Sequence, residues 1–318
     1  MGVFNVNKVV KELLDNMEKV IVGKRFVLKH FLVALLNNGH VLIEDVPGVG
    51  KTQIVGCLAR SVNGVFNRIQ FTPDVMPSDV MGFSMFNPST REFEYREGAA
   101  MCNFLLADEI NRASPKTQSS LLEIMEEYQV TVDGKTYPLP KPFMVLATQN
   151  PIESFGTYPL PEAQMDRFFI KLSIGYPEKD EEKLIIDRFG AENPLEKLKP
   201  VCSTSDLLEL QEEVKRIRVE DSLKSYIVDI VNETRKSQYV IAGGSPRGSL
   251  NLYRASKAWA YINGRDYLLP DDIQQMAIPV LSHRIIMNQE AKMNSITADD
   301  VVKESLLNVE VPVLELAH

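Results

Sequence analysis

The sequence predicts an α/β fold: a mostly parallel, five-stranded sheet covered on both faces by helices, followed by an all-α region. Three observations carry this. Up to about residue 175, short apolar runs of strand length alternate with longer segments of helical periodicity. A glycine-containing turn at residues 45–52 joins the first such run to a helix, as parallel strands entering crossovers require. Beyond Gly175-Tyr176-Pro177 the apolar residues recur at helical spacing with few strand signals.

The elements follow in order. Residues 5–38 read as helical, with Val9, Leu13, Leu14 and Met17 on one face and a second apolar stretch from Phe26 to Leu36; Val20-Ile21-Val22-Gly23 breaks the pattern between them. Val41-Leu42-Ile43 is a buried strand, and its helix runs from about residue 52 to 62. Residues 65–71 form the next strand. Residues 72–100 are turn-rich through Pro73, Pro77, Gly82 and Pro88, yet Phe93 and Tyr95 alternate with Glu92, Glu94 and Arg96, which suggests a hairpin strand. Residues 103–107 make a third buried strand. Residues 114–128 make a helix with Ser114 as N-cap and Pro115 at the first position, where a missing N–H costs nothing. A hairpin at Asp133-Gly134 leads to a fourth strand at 143–148, and 168–174 supplies a fifth. Thereafter Leu207, Leu208, Leu210, Val214 and Ile217 make one stripe, Leu250, Tyr253, Trp259 and Tyr261 lie in another helix, and residues 271–281 and 298–307 form the last two. Glu192-Asn193-Pro194 reads as the linker, giving expected domains at 1–190 and 191–318.

Composition narrows the partners. With 44% hydrophobic and 25% charged residues, the 318-residue chain is globular in type. The run Phe31-Leu32-Val33-Ala34-Leu35-Leu36 is far shorter than the ~20 apolar residues of a membrane span, and Lys8, Glu12, Asp15 and Glu18 leave no room for a signal-peptide core. A cytoplasmic protein without membrane insertion is expected. The formal charge is -8; residues 1–180 carry 18 basic and 21 acidic residues (-3), the remainder 17 and 22 (-5). Neither half is a basic arm, which argues against a nucleic-acid partner. Cys57, Cys102 and Cys202 lack the spacing of a disulfide framework or zinc site and read as buried thiols, and His30, His40, His283 and His318 show no metal or nucleophile–base spacing.

Three segments carry chemistry. In Asp45-Val46-Pro47-Gly48-Val49-Gly50-Lys51-Thr52, two glycines let the backbone close around an anion at a helix N-terminus. Lys51 would meet β- and γ-phosphate oxygens, and the Thr52 hydroxyl would ligate Mg²⁺. Asp45 stands where a glycine usually opens such loops. The strand Phe104-Leu105-Leu106-Ala107 delivers Asp108 and Glu109 at its carboxyl end, where an α/β sheet borders its ligand crevice. One carboxylate suits a metal shell and its neighbour a water. Finally, Val145-Leu146-Ala147-Thr148-Gln149-Asn150-Pro151 ends a strand in polar groups, from which Asn150 could reach that water or the γ-phosphate.

These three elements, in this chain order, resemble the AAA+ ATPases, and more closely the MoxR family in their helix-2-insert group. The MoxR resemblance runs from about Val20 to Leu281. It rests on Val22-Gly23, Gln70-Phe71-Thr72-Pro73-Asp74, Pro77-Ser78-Asp79, Leu106-Ala107-Asp108-Glu109-Ile110-Asn111-Arg112-Ala113, the Asn150 segment, Leu160-Pro161-Glu162-Ala163-Gln164-Met165-Asp166-Arg167-Phe168 and Ser245-Pro246-Arg247. It implies an ATP-binding core with a helical lid, assembled in a ring, typically a hexamer. It places Val22 and Gly23 beside adenine, Val46, Pro47, Gly48, Val49, Gly50, Lys51, Thr52 and Gln53 around the phosphates, and Thr52 and Asp108 at Mg²⁺. Glu109 would polarise the water, Asn150 would be the first sensor, Arg167 an arginine finger given to the neighbour, and Arg247 the second sensor. Each arginine has a plainer alternative: Arg167 as a salt-bridge partner of Asp166, Arg247 as a solvated residue of a helical first turn. The Phe93/Tyr95 hairpin either faces a ring pore or packs on the surface.

The resemblance implies an ATPase that remodels, assembles or matures a client protein, by chaperone-like action or metal insertion, with a von Willebrand A-domain protein as the expected kind of partner. Three other classes stand beside it: a nucleotide-dependent binding switch with little turnover, a nucleic-acid-remodelling motor, and the ATPase subunit of a magnesium chelatase.

Overall fold

The computed structural model describes residues 8–46, 48–150, 157–190 and 192–313; Pro47, Pro151 and His318, singled out above, lie outside the described residues. Two helices open the chain. α1 (Lys8–Glu18) buries Val10, Leu13, Leu14 and Met17 along one stripe. α2 (Arg25–Leu35) is apolar on most sides and buries Leu28 and every residue from His30 to Leu35. Then come β1 (Val41–Glu44), α3 (Lys51–Ser61), β2 (Phe66–Gln70), the short α4 (Pro77–Met81) and a hairpin of β3 (Gly82–Asn87) and β4 (Glu92–Glu97). β5 (Phe104–Asp108) leads to α5 (Pro115–Glu127), where Ser114 caps the helix by accepting from the Thr117 N–H at 3.3 Å. A second hairpin, β6 (Gln129–Val132) and β7 (Lys135–Pro138), precedes β8 (Met144–Gln149), α6 (Glu162–Met165), β9 (Ile170–Leu172) and α7 (Lys179–Phe189).

The strand order is β2-β5-β8-β1-β9, and every neighbouring pair is parallel. Alternate residues feed two cores, because successive strand side chains point to opposite faces. Val41, Ile43, Phe104, Leu106, Met144 and Leu146 enter one cluster, and Leu42, Leu105, Ala107, Val145 and Ala147 the other. Burial on both faces is why these strands read as unbroken apolar runs. Parallel packing also brings the turn after β1, Asp108 at the end of β5 and Gln149 at the end of β8 to the carboxyl-terminal end of the sheet.

The remainder comprises α8 (Thr204–Lys215), α9 (Asp221–Thr234), β10 (Val240–Ala242), α10 (Pro246–Ile262), α11 (Pro270–Leu281), β11 (Ile286–Met287), α12 (Gln289–Met293) and α13 (Ala298–Asn308). Ser203, Ser245 and Thr297 cap α8, α10 and α13 through N–H groups three residues on. This helical region also carries one short antiparallel ribbon, β10 with β11, that helical periodicity does not reveal. One apolar cluster runs without a break from α1, α2 and α3 into these helices, joining Phe31 and Val33 to Ala258, Trp259 and Met276. Of the cysteines, Cys57 and Cys102 are buried and Cys202 is half-buried; burial raises each thiol to a pKa of about 12. Among the described residues, no helix is long and apolar enough to cross a membrane.

His40 ties β1 to its surroundings in the neutral state. Its Nδ1 accepts from the Val145 N–H at 3.0 Å and its Nε2 donates to the Met125 carbonyl at 2.9 Å. Burial lowers its pKa from 6.5 to about 4. The unfolded chain therefore holds a proton that the folded chain refuses, and this residue's contribution to stability is lost as pH falls from about 6.5 towards 4. From His40 alone, folding should be weaker by about 2 kcal/mol at pH 5 than at pH 7. Urea unfolding at both pH values checks it: His40→Gln should lack that part of the slope, and an unchanged slope contradicts the assignment.

Candidate functional site

The turn between β1 and α3 is shaped by two glycines in the left-handed region, Gly48 at φ 89° and Gly50 at φ 87°. There a side chain would be strained, and a Cβ on either would meet nothing within 4 Å, so the requirement is conformational. Lys51, the first residue of α3, turns its Nζ back to the Asp45 carbonyl at 2.8 Å. Burial lowers the Lys51 pKa, while Asp108, Asp45 and Glu109 pull it the other way. Asp45 does not adopt a left-handed backbone. It is 7% exposed, and its carboxylate accepts from the Ser173 hydroxyl at 2.9 Å, the Gly175 N–H at 3.3 Å and the Ile174 N–H. A glycine could not make this tie between the loop and the segment after β9.

The acid pair sits across the same cleft. Gly48, Gly50, Lys51, Thr52, Gln53, Asp108, Glu109 and Asn150 line one cavity of about 370 Å³, together with Arg68 and Gln70 from β2. The fully buried Thr148 hydroxyl on β8 donates to Asp108 Oδ1 at 2.6 Å and accepts from the Glu109 N–H at 2.9 Å, so one side chain sets both acids. Glu109 has φ 57° and ψ 48°, a conformation unfavourable for a side-chain-bearing residue and retained where the surroundings over-determine it. Both carboxylates have cationic partners: Arg68 meets Asp108 Oδ2 at 2.7 Å, and Arg112 meets Glu109 Oε2 at 3.0 Å.

On the other side of the loop, Val22, Gly48, Val49, Gly50 and Gln53 border an apolar cavity of about 290 Å³. Val20, Ile21, Ile174, Pro177, Ile185 and Phe189 supply most of its wall. Gly23, between the lining residues Val22 and Lys24, has φ 69°, the left-handed region that favours glycine, and a Cβ there would meet only the carboxylate end of Glu181, a side chain free to move aside. Val46 precedes the loop's two glycines but is not among the residues lining either cavity.

Arg167 and Arg247 lie elsewhere. They line a third cavity of about 290 Å³ with Glu126, Asp166, Asn251 and Arg254, which shares no lining residue with the two cavities beside the β1–α3 loop. Arg167 Nε is 3.2 Å from Glu126 Oε2, and Arg247 stands 3.6 Å from both Glu126 and Asp166. Asp166 pairs at 2.7 Å with Arg284 and not with its neighbour in sequence. In the β3–β4 hairpin the two aromatics part company. Tyr95 stacks on Tyr137 at 4.1 Å and its hydroxyl donates to the Met81 carbonyl at 2.5 Å, whereas Phe93 is 71% exposed and touches Phe86.

The family model described as "ATPase family associated with various cellular activities (AAA)" matches residues 40–170, and the AAA lid domain model matches residues 232–305. The chain is 44% identical to the chaperone MoxR1 of Mycobacterium tuberculosis over 95% of this chain and 82% of that one. It belongs to the MoxR family of AAA+ ATPases. It is also 52% identical to protein YeaC of Bacillus subtilis over 97% of each chain. A solved structure from Cytophaga hutchinsonii, described as an ATPase candidate, superposes with a TM-score of 0.90 at 41% identity, covering 96% of this chain and 95% of that one.

Membership of the MoxR family implies nucleotide binding, and the geometry groups the sequence-marked residues accordingly. Gly48, Gly50, Lys51, Thr52, Gln53, Asp108, Glu109 and Asn150 converge on one cleft, Val22 and Val49 on the adjoining apolar cavity, and Arg167 and Arg247 on a separate face. Sequence reasoning missed Arg68, Arg112 and Thr148 at the acid pair, and Ile185 and Phe189 at the apolar cavity. For Thr148 a signal was present, since it falls inside the polar strand end already singled out. Arg112 likewise lies inside the quoted Leu106–Ala113 segment, though without an assigned role, whereas Arg68, Ile185 and Phe189 carry no local mark.

Proposed function

We propose that this MoxR-family chain binds ATP with Mg²⁺ between the loop after β1 and the acids after β5, hydrolyses it within a ring of copies, and uses the resulting motion to remodel a client protein. The observation that carries the reading is the shared cleft: Lys51, Thr52, Asp108, Glu109 and Asn150 line one cavity beside an apolar one sized for a base. The donor set fits the group: hydroxyl and carboxylate oxygens suit a hard divalent cation, with an ammonium beside them for phosphate. Thr52 and Asp108 would hold the cation, which would supply charge neutralisation to the phosphates during transfer.

In this account Glu109 accepts a proton from the water that attacks the γ-phosphorus, and the bond to the ADP oxygen breaks as the new P–O bond forms. Lys51 leaves the Asp45 carbonyl for the phosphates, and Asn150 orients the water. Thr148 keeps both acids in register throughout. Arg167 serves a neighbour's site, since in its own chain it borders a cavity apart from the loop, and Arg247 shares that outward face. A hexamer fits this division of labour. A client in trans, with a von Willebrand A-domain partner, is the family-based expectation, as is a cytoplasmic location.

A second reading draws on the ion pairs themselves. With Arg68 on Asp108 and Arg112 on Glu109, the acids are held by arginines, as a switch with little turnover would require. Phosphate release from ATP in Mg²⁺ buffer, followed over rising protein concentration, separates the two. Motor action predicts specific activity that climbs as copies assemble and stops with EDTA. Tight ATP binding without phosphate release at any concentration favours the switch.

A further inference from the structure

Arg284 ends the short turn Ser282–Arg284 that follows α11, in the helical region, and its side chain is 1% exposed. A guanidinium buried this deeply is costly unless its donors are met. Its donors are met largely by one short stretch of the α/β part. Nε donates to Asp166 Oδ1 at 2.7 Å. One terminal nitrogen donates to the Phe168 carbonyl at 2.6 Å and the Asp166 carbonyl at 3.3 Å. The other reaches the Phe169 carbonyl at 3.3 Å and the Val280 carbonyl in the last turn of α11. Thus four acceptors within residues 166–169 flank Arg167 on both sides. The second Asp166 oxygen faces Arg247 at 3.6 Å, so one carboxylate joins the start of α10, the end of α11 and the Arg167 segment. His283 packs beside this knot, its Nε2 3.1 Å from the Phe168 carbonyl, and burial followed by the Arg284 charge holds its pKa well below the ordinary value.

We infer that Arg284 is the positioning residue for Arg167: it locks the backbone from which Arg167 extends, so that the seating of the helical region decides whether a neighbour's site receives its cation. The inference rests on the reading of Arg167 as acting on a neighbouring copy. Arg284 touches neither cavity at the phosphate loop, so its effect falls on turnover and spares the chain's own nucleotide affinity. Lysine keeps the charge but not the planar fork that spans four acceptors.

The test compares R284K, R167A and the double variant in the assembled protein, by phosphate release and by titration with a fluorescent ADP. R284K should lower kcat by roughly 10- to 100-fold, the scale of a misplacement of about 1 Å, with the ADP dissociation constant within about twofold of the unaltered chain. R167A/R284K should be no slower than R167A, because a misplaced side chain that is absent costs nothing further. Should R284K not fold, as judged by its melting curve, D166N carries the same comparison, since it keeps the shape and weakens the anchor. Multiplying losses in the double variant, weakened ADP binding, or unchanged kcat in R284K beside a slow R167A overturns this inference alone. Unchanged kcat in R167A overturns the reading of Arg167 and the inference with it.

Discussion

Glu109→Gln should bind ATP as the unaltered chain does while phosphate release falls by roughly 10²–10⁴-fold, the usual contribution of a positioned base. The amide keeps the size of the carboxylate, and the groups that set residue 109 are backbone groups and a neighbour. Its N–H meets the Thr148 hydroxyl at 2.9 Å, and its φ of 57° is imposed by the turn into residues 110–112. The substitution therefore removes proton affinity and the charge facing Arg112, 3.0 Å away, without reshaping the cleft. Steady-state phosphate release beside a nucleotide titration checks both halves. Normal turnover in this variant contradicts the role given to Glu109. Held in its ATP-bound state, the variant is also the form with which a client should co-purify.

Arg167→Ala should lower kcat by about 10³-fold, at the low end of what arginine fingers contribute, with nucleotide affinity unchanged. The reason is geometric: Arg167 borders a cavity that shares no residue with the phosphate loop of its own chain. A sharper form mixes two inactive proteins. If Glu109 and Arg167 serve one site from two chains, combining Glu109→Gln with Arg167→Ala subunits creates some interfaces that are intact on both sides, and a fraction of the turnover returns. No recovery in demonstrably mixed assemblies, or a loss of affinity in Arg167→Ala alone, contradicts action on a neighbour.

Much of this molecule was legible in its residues, for stated reasons. β1, β5 and β8 announce themselves because a parallel strand buried on both faces must be apolar throughout, and α5 because Ser114 and Pro115 mark its start. The phosphate loop and the acid pair are local words, complete within eight and two residues. What escaped is what tertiary contact alone creates. β10 and β11 span three and two residues, too short for alternation to register, and exist because they pair. Arg68 lies in β2, and its meaning comes from the register that sets β2 against β5 and brings it to Asp108. Ile185 and Phe189 face the apolar cavity only once α7 folds back over Gly23. The adjacency of Asp166 and Arg167 suggested a local pair, yet Asp166 turns to Arg284 and Arg247 while Arg167 turns to Glu126. Chain neighbours on a short turn need not face each other, and a buried guanidinium 118 residues away competes better for the carboxylate than a half-buried one next to it.

Hydrolysis and remodelling both depend on nucleotide capture by the loop after β1. Equilibrium titration with a fluorescent ATP analogue, with and without Mg²⁺, compares the unaltered chain with Lys51→Ala and Asp108→Asn. Saturable binding that weakens by about 100-fold or more in Lys51→Ala, on the scale of a buried charged partner removed, and that loses its Mg²⁺ dependence in Asp108→Asn is the predicted result. Absence of binding by the unaltered chain, or equal affinity in Lys51→Ala, would contradict it.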